Sequence, residues 1–123
     1  MNLKVIEIYE LTKGIEVLTN FDLPFETAFK LHRIEKKLKD EHESLEKMRI
    51  KIVNKHKESE DKETGTITLK KDSIEQYQKE IDKFSEQKID IDIPKIHTSE
   101  LTDVTISAKV LGSISSILEI EEA

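Results

Sequence analysis

From Pro24 to Glu58 the chain contains no glycine, and no second proline appears until Pro94. Within that run Leu31, Leu38, Leu45 and Ile52 recur every seven residues. Ile34 and Met48 follow three residues after Leu31 and Leu45. This spacing predicts one helix of about 35 residues, roughly 52 Å long at 1.5 Å per residue. A rod of that length cannot be wrapped inside a chain of 123 residues. It must project from the rest of the protein or pair with another helix.

The following residues show how it could pair. Ser59 to Gly65 is polar and ends in a turn former, and Thr66–Leu69 alternates like a short strand. Asp72-Ser73-Ile74-Glu75 reads as a capping box with Asp72 as N-cap. Ile74, Tyr77, Ile81 and Phe84 then carry a helical stripe over about 73–87. The expected unit is an antiparallel helical hairpin over 24–87 with a polar tip at 59–72. Asp22 or Leu23 is expected to precede Pro24 at the first helical position.

On either side of the hairpin the signals are shorter. Val5, Ile8, Leu11, Ile15 and Leu18 form one apolar stripe, predicting a helix over 5–19, with a strand at Lys4–Ile8 as the competing reading. Ile89-Asp90-Ile91-Asp92-Ile93 alternates strictly, as a half-buried strand does, with Thr66–Leu69 or Val104–Ile106 as its expected partner. Ser107 is expected to cap a last helix presenting Leu111, Ile114, Ile117 and Leu118 on one side. Its acidic end, Glu119, Glu121 and Glu122, opposes the helix dipole and calls for a basic partner. The fold class is therefore mainly α with a small β element: one domain over 1–123, with strand and C-terminal helix in 88–123.

Composition limits what such a chain can bury. Hydrophobic residues are 36% and charged residues 37%, whereas average domains are about 45–50% apolar. Phe21, Phe25 and Phe29, with Leu31, Ile34 and Leu38, are expected to cover the base of the hairpin. The heptad positions Leu31, Ile34, Leu38, Leu45, Met48 and Ile52 form the expected seam for a homo-oligomer or partner. With no cysteine, disulfides, Cys-ligated zinc and a thiol nucleophile are excluded. No apolar run reaches the ~18 residues that suggest a membrane helix, so a cytoplasmic protein is expected, with no membrane partner.

Charge is uneven. Between Lys30 and Lys57 ten Lys/Arg stand against five Asp/Glu, a surplus of five. The net charge is −6, so the remainder carries −11. Arg33, Lys36 and Lys37 are the candidate anion-binding residues of this basic helix. Only two arginines and no interleaved aromatic stacking platform favour a solvated or protein-facing helix over a nucleic-acid or nucleotide site.

Catalytic and metal patterns are weak. An EF-hand frame on Gly65 puts lysines at Lys62 and Lys71, where oxygen ligands are needed. His42 and Glu46 supply two ligands at most. Asp90 and Asp92 read as the outer face of a strand. Ser113, Ser115 and Ser116 lack the surroundings of a nucleophile. No enzyme activity, metal or cofactor is expected.

The order Leu23-Pro24-Phe25-Glu26-Thr27-Ala28-Phe29-Lys30-Leu31, then Glu80-Ile81, Ile89-Asp90-Ile91-Asp92-Ile93, Lys95-Ile96, Ser99-Glu100-Leu101 and Ile106-Ser107 resembles a family of short uncharacterised proteins from bacteriophages and prophages of Gram-positive bacteria. The resemblance covers most of the chain from about residue 20 onward. It implies a phage accessory protein, in the host-cell cytoplasm, and no particular activity. Three function classes are consistent with it. The first is a non-enzymatic protein that binds, and by binding inhibits, a host or phage protein. The alternatives are a binder of nucleic acid or a small anionic nucleotide, including sequestration of a host signal, and a virion or assembly component.

Overall fold

A computed structural model describes residues 1–121. The fold is mainly α with a small β component, as the periodicities predict. Strand β1 (Asn2–Lys4) leads into helix α1 (Val5–Leu18). The Glu7 carboxylate accepts the Lys4 N–H at 2.9 Å and satisfies one donor at the start of α1. Every stripe residue of α1, from Val5 to Leu18, is at most 1% exposed.

A short turn reverses the chain into α2 (Phe25–His56), 32 residues and about 48 Å long. The two helices run antiparallel, since Thr19 meets Glu35 while Tyr9 packs edge-on against His42. Pro24 itself is the N-cap of α2, in place of Asp22 or Leu23, and no side chain caps it. At the far end β2 (Lys57–Glu60) and β3 (Ile67–Leu69) form an antiparallel tip. Gly65, at φ +73°, occupies the left-handed position of its turn, where a side chain would be strained.

Helix α3 (Ile74–Glu86) returns along α2, completing the expected hairpin. Asp72 does not cap it. The residue before it is Ser73, whose N–H is bound to the Lys70 carbonyl at 3.0 Å in a preceding turn. Strand β4 (Lys88–Asp90) pairs antiparallel with β1, Leu3 opposite Ile89. Neither expected strand partner is used, because the β3 edge lies out at the tip. Val104–Ile106 is not a strand either, but irregular chain following a 3₁₀ turn at Thr98–Leu101.

The inward alternation is nonetheless seen: Ile91 and Ile93 are buried, Ile89 half-buried, Asp90 and Asp92 exposed. Strand β5 (Ile96–His97) pairs in parallel with β6 (Leu118–Glu119). Between them α4 (Ala108–Ser113) is capped by Ser107, whose Oγ accepts the Val110 N–H at 3.3 Å. The last helix is shorter than expected. Ser113 Oγ donates to the Val110 carbonyl and Ser115 Oγ to that of Gly112, local bonds that compete with helix propagation. Ile114 and Ile117 are fully buried all the same, whereas Leu111 is exposed.

The core lies where α1, α2 as far as Leu45, Phe84 of α3, β1, β4 and the C-terminal segment meet. Two expectations are corrected there. Leu31, Ile34, Leu38 and Leu45 are at most 3% exposed within a single chain, because α1 and its neighbours cover them. They are core residues rather than an open seam. Of the six, only Met48 is exposed, and Ile52 is half-buried. Conversely Phe25 and Phe29 do not close the base: they are 80% and 50% exposed. Glu119 and Glu121 face His97 of their own chain, and Glu122 lies outside the described residues.

Candidate functional site

The exposed phenylalanines follow from helix geometry. At 100° per residue, Phe29 points roughly 170° away from the ridge formed by Leu31, Ile34, Leu38 and Leu45. Once α1 covers that ridge, Phe29 must face outward. Phe25 lies one turn earlier, and the two rings stack with centroids 5.9 Å apart and planes 11° from parallel. One turn later the Arg33 guanidinium sits 5.7 Å from the Phe29 ring centre, in cation–π contact.

Beside this row runs a cleft of about 390 Å³. Glu26, Phe29, Lys30, Arg33, Ile34 and Lys37 of α2 form one wall, and Asp92, Ile93 and Pro94 after β4 form the other. The walls are tied together. Lys37 Nζ donates to the Asp92 carbonyl at 2.7 Å, with the Asp92 carboxylate at 3.8 Å. Lys30 Nζ binds Glu100 Oε1 at 2.7 Å, half-buried. Burial pushes the Glu100 carboxyl up, but hydrogen bonds from Lys30 and the His97 N–H outweigh it and hold it below the usual carboxylate range.

Arg33 and Lys37, named from the sequence, both line this cleft. Lys36 does not, because it projects about 100° away from Lys37 on the helix. The reading that no aromatic is interleaved with the basic residues is corrected: Phe25, Phe29, Arg33 and Lys37 fall at four-residue intervals. A helical wheel would have revealed this, since the same ridge that predicts the core places the phenylalanines opposite it. Asp92–Pro94 carried no such signal, because their approach to α2 is a long-range contact.

Two other polar clusters lie apart from the cleft. Tyr9 sits between α1 and α2 beside Glu46 and Arg49, and Glu46 receives three hydrogen bonds from the Arg49 guanidinium at 2.8–3.1 Å. Burial, with Glu46 adding, pushes the Tyr9 hydroxyl up to about 12. At the tip His56, 2% exposed, has Nε2 3.1 Å from Glu80. Among the described residues no three His, Asp or Glu side chains converge as metal ligands would. Nor is any helix among the described residues long and apolar enough to cross a membrane. The chain matches no family model, no curated protein and no solved structure.

Proposed function

We propose that the chain is a phage-encoded, non-enzymatic interaction protein that binds a host or phage protein through the Phe25–Phe29–Arg33 face and acts by occupying it. One observation carries this reading: two stacked phenylalanines, 80% and 50% exposed, held on a helix whose opposite side is locked into the core. Fully burying a phenylalanine is worth about 1.5–3 kcal/mol, and leaving two in water forgoes that gain. Aromatic side chains and arginine are the types enriched at protein interfaces. The phage origin rests on the sequence resemblance alone.

A nucleotide-binding reading draws on the guanidinium over the Phe29 ring, a pairing that can also hold a base and a phosphate. The test is capture from host lysate with wild type and with F25A/F29A. A protein retained by the first, lost by the second and bound again after purification supports the reading. Equal retention by both chains counts against it. Both phenylalanines are exposed, so the double variant should fold, and circular dichroism checks that it does.

A further inference from the structure

Resting on that interaction reading, we infer that the cleft beside Phe29 takes an acidic segment of the partner protein: one carboxylate on Arg33, next to one apolar side chain laid against Phe29 and Pro94. Charge decides the class of ligand. Three cations line the cleft, but two are engaged: Lys30 by Glu100 at 2.7 Å and Lys37 by the Asp92 carbonyl and carboxylate. Arg33 has no carboxylate within 4.0 Å among the described residues, and Glu26 and Asp92 stand in the cleft walls. With Asp92 engaged by Lys37, one uncommitted guanidinium near the Glu26 carboxylate matches no more than a single negative charge. A di- or triphosphate, or a nucleic-acid backbone, would bring several charges toward those wall acids and be repelled.

Shape points the same way. The cleft, at about 390 Å³, lies within the roughly 300–1,000 Å³ of ligand pockets. It adjoins an aromatic plane and has an apolar floor of Ile34 and Ile93, both buried. A second copy of this chain offers two exposed acidic–apolar segments. In Glu119-Ile120-Glu121 both glutamates lie within 3.4 Å of His97 in their own chain, whereas Ile74-Glu75 at the tip, with Glu75 held only by an exposed contact to Lys79, is the competing occupant that the dimer arm of the test separates.

The probe is a library of displayed peptides selected on wild type, followed by anisotropy with the enriched sequences made synthetically. The expected consensus places Asp or Glu within two residues of an aromatic or aliphatic residue. F29A and R33E should each weaken the synthetic peptide about tenfold or more, the loss of one good contact. K36E, off the cleft wall, should weaken it less than about threefold by long-range charge alone. Peptides without a carboxylate, or binding indifferent to R33E, would overturn the inference. So would ATP or oligo-dT binding that competes with the peptide and depends on Arg33. A wild-type dimer that dissociates in F29A would make the occupant a second copy and overturn it as well. If a lysate protein is lost in F25A/F29A but kept by R33E, the interaction reading stands and this one falls.

Discussion

Gly14 leaves no room for a side chain. It lies on the buried side of α1, where a Cβ would meet Ser113 Oγ and come within 2.6 Å of Ile114 Cγ2. Ile114 is fully buried and has nowhere to go. Alanine gains up to ~1 kcal/mol of helix propensity, but overpacking costs about 1–3 kcal/mol. G14A should therefore lower stability by about 1 kcal/mol, seen as a lower urea midpoint; a midpoint raised above wild type would show that α4 yields. Glu80 supplies a test in pH. Hydrogen bonds from Lys55, then from His56, hold its carboxyl below the usual range. A depressed carboxyl stabilises the fold above its unfolded value, ~4.3, and that contribution disappears as pH falls through the folded value. Stability should decline from about pH 5 downward, and E80Q should decline less steeply over the same interval. Parallel slopes would mean that other carboxylates dominate.

Among the elements, the strand β4 and the three residues after it show what alternation can and cannot say. Period two correctly orients Ile91 and Ile93 inward and Asp90 and Asp92 outward, since a half-buried strand needs nothing more. I91A should cost about 2–5 kcal/mol and D92A little, compared by urea denaturation, because only the first opens a cavity. The partner strand was not legible. β1 is only three residues long and pairs with residues more than 80 positions away, so no local pattern records it. The long helix was legible from its glycine-free run, and α1 from its stripe. Their mutual packing was not, because Leu31, Leu38 and Leu45 have the same spacing whether α1 or another chain covers them. Leu45 separates these cases: buried at 3% in its own chain, L45D should unfold the monomer itself. The site is half legible, since Arg33 and Lys37 stand out as charge, whereas Phe25 and Phe29 read as core residues until the ridge opposite them is known to be covered. A folded L45D that merely fails to assemble would return the residue to an intermolecular seam.

Across the whole molecule, burial is concentrated at one end. The continuous core extends along the hairpin as far as Leu45 and Phe84 and does not include Val53. Beyond it only Val53 and His56 are buried on α2, and no residue of β2 or β3 is. The tip is held by the β2–β3 ladder and the Lys55–Glu80 and His56–Glu80 contacts, while Met48, Ile50, Ile67 and Ile74 remain exposed. The exposed Lys55–Glu80 ion pair contributes about 0–1 kcal/mol, far less than the five fully buried stripe residues that α1 contributes to the core. Local openings should therefore cost much less at the tip than in α1. Amides of Lys57–Glu60 and Ile67–Leu69 should exchange roughly a hundredfold or more faster than those of the middle of α1. Hydrogen exchange at two protein concentrations checks this and the homo-oligomer expected from the sequence together. Fast exchange at the tip, independent of concentration, is the behaviour of an uncovered arm. Tip protection that rises with concentration would mean that a second copy covers Ile50, Ile67 and Ile74. Protection equal to that of α1 at every concentration would show that the tip unfolds only with the core.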